Sequence, residues 1–299
     1  MRRSEDASLP GAAYDSDPVR LPQIESPTVA SVVAPSGVDP RSGHPPAIIV
    51  VGGVDPGGGA GLHRDVATVA ALGARAHTVE TAWTEQGPGR HRVDPRAPDA
   101  VRAALAEALA TLRPAAVKIG MAVGPATAAA LVEALGDYAG PVVVDPVLAT
   151  SRGGALWAAE PRELLPLLRR ATLVTPNSLE ASAFAGRPVT TSREATAAGH
   201  VLVERDMLRA VLVKGGHLGA PAETVLDVLV TASGAERFSR PRIPGPSPRG
   251  TGCALASAIA VKLACGRSLS EAVGEAGAWL VGLIARPVAV GDELHLARP

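Results

Sequence analysis

Apolar residues along this chain follow two patterns, short continuous runs and stripes at helical spacing. The continuous runs occupy residues 47–51, 115–119, 141–144, 171–174 and 210–213, and each ends in a polar or glycine-rich segment. Between them, apolar side chains recur on one helical face over residues 100–112, 126–135, 162–168 and 193–204. Buried strands that alternate with amphipathic helices predict a mostly parallel sheet covered by helices on both faces.

The remaining pattern predicts how this α/β domain begins and ends. Residues 225–230 and 236–243 are separated by a short turn-like segment, which predicts a hairpin and therefore an antiparallel edge to the sheet. Two further helices are expected near 252–264 and 269–286. Residues 1–45 are rich in Pro, Ser, Asp and Gly and lack a sustained apolar period, so we expect a disordered or loosely packed extension. A single domain is predicted over residues 46–299.

Composition narrows the classes of function. The 299 residues are 46% hydrophobic and carry 29 basic against 29 acidic side chains, so no electrostatic feature favours a nucleic-acid partner. No long uncharged apolar run predicts a membrane span, and the N-terminus does not resemble a signal peptide. The two cysteines form neither a disulfide framework nor a cysteine-rich metal site. We therefore expect a cytoplasmic protein.

The strongest chemical motif is Gly250-Thr251-Gly252-Cys253, which leads directly into an apolar helix. Free backbone N–H groups and the helix dipole converge at such a point and favour an anion. The alternative is an ordinary helix start with Thr251 as the N-cap. Cys253 is either a small buried side chain or a proton acceptor, and its place at a helix N-terminus would lower its thiol pKa.

Three other segments lie at predicted strand ends, the edge where open parallel sheets bind ligands. The glycine-rich stretch 52–61 lacks the spacing of dinucleotide or P-loop motifs, and Asp65 follows it by one turn. Asn177 and Glu180 share a helical face, where they suit either hydrated Mg²⁺ or a plain helix start. Lys214 ends another strand, at a place suited to a nucleotide phosphate. Lys118 falls inside a strand and is expected to be structural, and His217 to be a loop residue.

Taken in order, these segments resemble the hydroxymethylpyrimidine/phosphomethylpyrimidine kinases of thiamine biosynthesis, within the ribokinase-like superfamily. The resemblance covers roughly residues 47–285 and rests on six collinear motifs, at residues 53–61, 118–121, 145–147, 175–180, 213–217 and 250–253. It implies a three-layer α/β/α sandwich and a homodimer. It also implies ATP and Mg²⁺ as cofactors, and phosphorylation of 4-amino-5-hydroxymethyl-2-methylpyrimidine in one or two successive steps.

The resemblance also implies a role for each matched residue. The substrate pyrimidine would be surrounded by Gly53, Asp65, Gln86, Met121 and Val147. The catalytic group would comprise Cys253 as the base and Gly250, Thr251 and Gly252 as the anion hole. ATP would contact Lys214, Thr251 and Asn177, and Mg²⁺ would be organised by Asn177 and Glu180.

Several positions depart from the family pattern, mostly around the acceptor. Arg249 stands where the family usually has histidine, Trp83 replaces a smaller aliphatic residue beside the pocket, and Glu85 adds a charge. Residues 86–88 and 151–154 also differ, and the usual Gly/His-rich C-terminus is absent. The alternatives are a pyridoxal-type or other hydroxymethyl-heterocycle kinase and a non-catalytic ligand-binding descendant. The glycine spacing argues against a nicotinamide-dependent oxidoreductase.

Overall fold

The computed structural model describes residues 39–40, 43–87, 90–150, 153–218 and 223–297, with the side chains of residues 86–91 and 217 outside that description. The strands are β1 Ala47–Val54, β2 Arg75–Gly87, β3 Arg90–Pro95, β4 Ala116–Ile119, β5 Val142–Val144, β6 Leu173–Val174, β7 Ala210–Val213, β8 Thr224–Thr231, β9 Gly234–Pro241, β10 Val288–Val290 and β11 Glu293–His295. The helices are α1 Gly61–Ala71, α2 Pro98–Leu112, α3 Pro125–Leu135, α4 Leu165–Leu168, α5 Ser178–Ala185, α6 Ser192–Glu204, α7 Thr251–Ala264 and α8 Leu269–Ile284.

Nine strands form the main sheet of this described region, in the order β3-β2-β1-β4-β5-β6-β7-β8-β9. The six strands from β2 to β7 in that order run parallel, while β3, β8 and β9 pair antiparallel with their neighbours. The mostly parallel sheet with an antiparallel β8–β9 edge is confirmed. The second antiparallel edge, β2–β3, was not predicted because β2 mixes polar and apolar residues instead of forming a continuous apolar run.

Side-chain alternation along β1 shows how the layers are built. Ile48 and Val50 pack into one core with residues of α1, α7 and α8. Ile49 and Val51 point the other way, into a core with residues of α2 to α6. Because both faces of the sheet are buried, its strands carry unbroken apolar sequence. The three-layer α/β/α architecture is therefore confirmed.

Most predicted helices begin and end within two residues of their expected bounds. The exception is the segment 162–168, which divides into a 3₁₀ turn at Pro161–Leu164 and the single-turn helix α4. Pro166 has no amide hydrogen to donate, so it suits the first turn of a new helix better than the interior of a longer one.

The two ends of the described chain add features that the apolar pattern did not predict. Asp39 is buried, and its backbone N–H donates to the carbonyl of His44 over 2.9 Å. Residues 1–38 lie outside the described residues, so the N-terminal extension stays a prediction. At the other end, β10 and β11 form a separate hairpin. Among the helices that the structure describes, none is long and apolar enough to cross a bilayer.

Candidate active site

A cavity of about 1190 Å³ opens at the carboxyl ends of the parallel strands. This is the edge at which open α/β sheets bind ligands. Its lining includes the predicted site residues Gly53, Asp65, Met121, Val147, Asn177, Glu180, Lys214, Gly250, Thr251, Gly252 and Cys253. Gln86 lies in β2, and its side chain is outside the described residues. The structure thus brings together every predicted site residue whose side chain it describes.

The N-terminus of α7 forms one wall of the cavity. Thr251 is the first helical residue and Gly250 is the N-cap, with a φ of 84° and no side-chain capping bond. The alternative in which Thr251 caps the helix is therefore wrong. Since no side chain caps this helix end, the first backbone N–H groups and the helix dipole are directed at the cavity, as an anion site requires.

Gly250 also touches the glycine-rich loop that follows β1. A Cβ atom at Gly250 would overlap the carbonyl oxygen of Gly59, and its positive φ already disfavours any other residue. A Cβ at Gly61 would overlap the carbonyl oxygen of Gly53 in the same way. Gly250 therefore lets the anion turn, residues 250–253, pack backbone against backbone on the glycine-rich loop, and Gly61 lets the two ends of that loop approach each other.

Cys253 lies on the floor of the cavity, where part of its surface stays accessible. Burial raises the pKa of its thiol to about 11, although the ammonium of Lys118 and the backbone N–H of Gly61 act to lower it. The predicted lowering of this pKa is therefore wrong. The carboxylates of Asp65 and Asp145 add to the increase that burial causes.

A buried ion pair lies beside the thiol. Lys118 Nζ is 2.7 and 2.8 Å from the two carboxylate oxygens of Asp65, and Ser257 Oγ donates to the same carboxylate over 2.8 Å. Both charged side chains are about 1% exposed. Burial opposes the charge on Lys118, but the carboxylate of Asp65 raises the pKa of the ammonium, which stays protonated. Asp65 therefore borders the cavity as part of a pair, not as a free carboxylate.

A second ion pair lies where the anion turn, at the start of α7, faces β7. Lys214 Nζ is 2.7 Å from Asp145 Oδ1, which also accepts the hydroxyl of Thr175 over 3.2 Å. Burial opposes the charge on Lys214, whereas Asp145 and Glu180 raise its pKa, so it remains a cation. A Cβ at Gly252 would lie 3.2 Å from Lys214 Nζ, so the ammonium borders the anion turn directly.

Asn177 and Glu180 begin α5 with a capping box. The Asn177 amide oxygen accepts the N–H groups of Leu179 and Glu180, and the Glu180 carboxylate accepts the N–H of Asn177 over 2.7 Å. Burial raises the pKa of Glu180 to about 7, despite the opposing charge of Lys214. The plain helix start is thus present, and direct ligation of a metal by Asn177 would compete with its cap.

The same corner provides oxygen donors for Mg²⁺. In the described part of the chain, no group of three or more His, Cys, Asp or Glu side chains is placed to hold a metal. Mg²⁺, however, usually takes one or two carboxylates together with water and phosphate oxygens. Asp145 and Glu180 both line the cavity and both act on Lys214, so the donor set suits such an ion when phosphate is bound.

An apolar patch forms the wall on the β1 and β4 side. Met121 packs with Ala82, Val123 and Leu156, and Val147 lies against this cluster. A Cβ at Gly53 would approach Met121 Sδ to 2.8 Å, so glycine leaves room for the thioether. A narrow apolar slot of this kind suits a planar ring.

Trp83 and Glu85, the residues of β2 that depart from the family pattern, do not add to this apolar patch. Trp83 is 51% exposed and Glu85 is exposed, whereas Thr84, between them, faces the cavity. Because side chains alternate along a strand, the predicted position of Trp83 beside the pocket is wrong. Residues 88, 151 and 152, where the sequence also departs from the family pattern, lie outside the described residues.

Three functional candidates were missed or misjudged from sequence. Lys118 was expected to be structural because it lies inside a strand, yet its side chain reaches the cavity at the end of β4. Its rarity, as one of three lysines, was the signal that pointed to it. Asp145 lies within a matched motif but was assigned no role of its own. Ser257 is four residues from Cys253, on the same face of α7, and no motif marks it.

Taken together, the cavity places an anion site, the ammonium groups of Lys118 and Lys214 and a thiol beside an apolar slot. Phosphoryl transfer depends on in-line positioning and charge neutralisation more than on covalent chemistry. The anion site with Lys214 suits a polyphosphate, and the slot beside Met121 suits an aromatic acceptor. Cys253 lines the same cavity, so the arrangement can align a phosphoryl donor with a hydroxyl group.

Comparison with known proteins gives consistent results. A family model described as phosphomethylpyrimidine kinase matches residues 55–297. The hydroxymethylpyrimidine/phosphomethylpyrimidine kinase of Rhizobium meliloti is 38% identical over 236 residues, which cover 77% of this chain and 87% of the relative. The enzyme of that name from Salmonella typhimurium is 37% identical over 243 residues, covering 80% and 90%.

Solved structures support the same fold. The pyridoxal kinase of Staphylococcus aureus in complex with ADP superposes with a TM-score of 0.78 at 24% identity, covering 86% of this chain and 94% of that one. A phosphomethylpyrimidine kinase from Clostridium difficile 630 gives a TM-score of 0.66 at 28% identity, covering 79% and 98%. The ribokinase-like architecture is confirmed, and the likeness at 24% identity shows the fold alone.

Proposed function

The chain belongs to the phosphomethylpyrimidine kinase family, and from that premise we propose that it phosphorylates 4-amino-5-hydroxymethyl-2-methylpyrimidine with ATP, and then the resulting monophosphate, for thiamine biosynthesis. The observation that carries this proposal is the shared cavity. The uncapped N-terminus of α7 and the apolar slot at Gly53, Met121 and Val147 face the same space, so donor phosphate and acceptor ring can meet there.

The proposed transfer uses residues already in place. The oxygen of the acceptor hydroxyl bonds to the γ-phosphorus as the bond from that phosphorus to the β–γ bridging oxygen breaks, leaving ADP. The N–H groups of Thr251, Gly252 and Cys253 stabilise the charge that develops on the transferred group, and Lys214 neutralises the phosphates beside it. In the proposed base role, the thiolate of Cys253 receives the hydroxyl proton.

ATP and Mg²⁺ are the proposed cofactors. Glu180 and Asp145 would hold the metal, which supplies charge neutralisation to the donor phosphates when bound. Asn177, whose amide oxygen caps α5, would keep Glu180 in place. Asp65 and Lys118 would contact the acceptor from the floor of the cavity, with Gln86 proposed to bond the planar edge of the ring.

An ATP-consumption assay on the purified full chain tests the proposal. We expect turnover with the hydroxymethylpyrimidine and with its monophosphate, and product analysis should show one phosphate added at each step. Lys214→Met is the matched negative control, because it removes the ammonium beside the anion turn while the fold, followed by circular dichroism, is retained. Turnover of pyridoxal with neither pyrimidine would overturn the acceptor assignment, and heterocycle binding without ATP consumption would overturn catalysis.

We further propose that the enzyme works as a homodimer in the cytoplasm. Cys253 and Cys265 are both unpaired, as expected for a protein in a reducing compartment. Light scattering coupled to size exclusion should give about twice the 30.2 kDa mass of one chain. A mass of one chain at micromolar concentration would contradict the dimer without affecting the kinase assignment.

A further inference from the structure

Arg249 links two segments that are far apart in sequence. Its Nη2 lies 3.0 Å from Asp55 Oδ2, and its Nη1 lies 2.7 Å from Glu293 Oε2. Its side chain is 11% exposed, so both contacts are largely shielded from water. Arg249 directly precedes the anion turn, Asp55 belongs to the glycine-rich loop, and Glu293 begins β11. One guanidinium therefore joins three elements.

Asp55 connects the guanidinium of Arg249 to the backbone of the glycine-rich loop. Its two carboxylate oxygens accept the backbone N–H groups of Gly57 and Ala60, each over 3.1 Å. A loop built mostly of glycines has few side chains to hold its conformation. The Asp55 carboxylate therefore organises the loop, and Arg249 fixes that carboxylate relative to the anion turn.

The strand β11 and the residues after it contact Arg249, the glycine-rich loop and α1. The backbone N–H of Arg249 donates to the carbonyl of Leu294 over 2.8 Å. The ring of His295 lies so close to Gly59 that a Cβ there would approach it to 2.8 Å. The guanidinium of Arg64, in α1, donates to the carbonyls of Leu296 and Ala297 over 2.7 and 2.9 Å.

We propose that Arg249, Asp55 and Glu293 form a clamp in which Arg249 is a positioning residue for phosphoryl transfer and β11 is its support. The clamp holds the anion turn at a fixed distance from the loop that borders the acceptor slot. This inference rests on the proposed kinase reaction. Because in-line transfer is sensitive to displacements of about 1 Å, loosening the clamp should lower kcat more than it weakens ATP binding.

Steady-state kinetics of single variants test the clamp. Arg249→Met should lower kcat by about 30-fold while KM for ATP changes less than about threefold. Glu293→Gln, which leaves Arg249 intact, should lower kcat by about fivefold, and the double variant should be no slower than Arg249→Met alone. Arg249→Lys should recover little, because an ammonium cannot contact both carboxylates as the planar fork does.

Arg205→Met is the matched control, since it removes an arginine 2.7 Å from a buried aspartate, Asp206, outside the cavity lining. Because Arg205 is more exposed than Arg249 and Asp206 keeps its contact with Arg162, this variant should lower the melting temperature less than Arg249→Met and leave kcat within about twofold. Full activity of Arg249→Lys, or a rise in KM for ATP without a fall in kcat, would overturn the clamp, because either result means that Arg249 contributes only charge to the phosphates.

Amide hydrogen exchange in the absence of ligand tests the clamp independently of whether the chain is a kinase. Arg249→Met and Glu293→Gln should speed exchange in residues 55–61 and 250–254, whereas Arg205→Met should leave both segments unchanged. Unchanged exchange in the two clamp variants overturns the clamp whatever the enzyme phosphorylates. If the unmodified chain transfers no phosphate to any acceptor, the kinase assignment fails instead, and the exchange result still decides whether the clamp exists.

Discussion

The protonation state of Cys253 is the residue-scale property that most constrains the chemistry. Its thiol pKa of about 11 leaves a thiolate fraction on the order of 10⁻⁴ at pH 7. If the thiolate accepts the hydroxyl proton, the rate must follow that fraction. We therefore expect kcat to rise about tenfold per pH unit between pH 7 and 9, as a kcat–pH profile at saturating ATP and acceptor would show.

Two cysteine variants make that expectation specific. Cys253→Ala should lower kcat at pH 8 by about 10²- to 10⁴-fold, remove the rise with pH and leave the ATP dissociation constant nearly unchanged. Cys265→Ala, which changes the chain's other cysteine outside the cavity lining, should keep the full slope. A flat profile in the unmodified enzyme would remove the base role from Cys253.

Glu180 gives a pH dependence of the same direction, but on kcat/KM for ATP and at lower pH. With a pKa raised to about 7, it is half protonated at neutral pH, and only its carboxylate can hold Mg²⁺. We expect kcat/KM for ATP to fall as the pH drops below 7 and Glu180→Gln to be slow and insensitive to pH over that range. Glu194→Gln alters the equivalent glutamate of the α6 capping box, so its profile should match that of the unmodified chain. An unchanged profile in Glu180→Gln would separate Glu180 from metal binding.

The same two glutamates should affect stability with opposite signs. The raised pKa of Glu180 means that the fold prefers its neutral form, so this contribution is complete below about pH 4.5 and is lost as the pH rises through 7. Hydrogen bonds from Thr190 and Thr191 lower the pKa of Glu194 to about 2, so its contribution is present above about pH 4.5 and is lost towards pH 2. Urea unfolding of each Gln variant across pH 3–8 measures both signs.

At the scale of single residues, the sequence predicted which side chains line the cavity. It did not predict how the surroundings of a side chain change its pKa, or how far a long side chain reaches. The six motifs located the cavity lining because they mark strand and helix ends, which topology brings to one edge. The pKa of Cys253 was predicted in the wrong direction because burial depends on the complete fold. Lys118 was misjudged because a position inside a strand does not show how far a long side chain reaches.

At the scale of elements, Gly250 determines how closely α7 can approach the glycine-rich loop. Gly250→Ala adds a Cβ that overlaps the carbonyl oxygen of Gly59, in a residue with a φ of 84°. Gly186, at the end of α5, has a φ of 70°, and a Cβ added there would meet no atom within 4 Å. Gly186→Ala therefore destabilises the fold only through its positive φ, without a steric overlap.

We therefore expect Gly186→Ala to lose about 1–2 kcal/mol of unfolding free energy with kcat unchanged. Gly250→Ala should lose about 1–3 kcal/mol more and lower kcat by about 100-fold, because the anion turn must move. Urea denaturation and steady-state kinetics on both variants provide the measurements. Equal effects of the two substitutions would show that the contact with Gly59 does not matter.

Helices and strands were predictable from the sequence where their apolar residues lie on one helical face or form a continuous run. The parallel strands and the helices α2, α3, α6, α7 and α8 were predicted correctly because their buried faces are mostly apolar. The hairpins β2–β3 and β10–β11 were missed because much of each is exposed, so burial imposes little pattern on their residues. The clamp at Arg249 depends on β11, and for that reason no sequence motif marked it.

At the scale of the whole molecule, we propose that the domain begins nearer to Asp39 than to residue 46. From Asp39 onward the described chain belongs to one compact unit, and the described residues that line the cavity run from Gly52 to Leu294. Asp39 is buried and raises the pKa of Cys265, although burial of the thiol contributes more. Pro40 lies 3.5 Å from a Cβ position at Gly266, so Asp39 and Pro40 pack where α7 leads into α8.

Two deletions should therefore differ. Removing residues 1–33 should leave kcat within about twofold and the melting temperature unchanged, since the retained chain carries every described residue that lines the cavity and the buried Asp39. Removing residues 1–45 exposes the connection between α7 and α8 and should lower the melting temperature by about 4–8 °C, with a smaller effect on kcat. Scanning calorimetry and the ATP-consumption assay on both truncated chains test this. A longer deletion as stable as the shorter one would place the boundary at residue 46, because Asp39 and Pro40 would then add nothing to the stability of the fold.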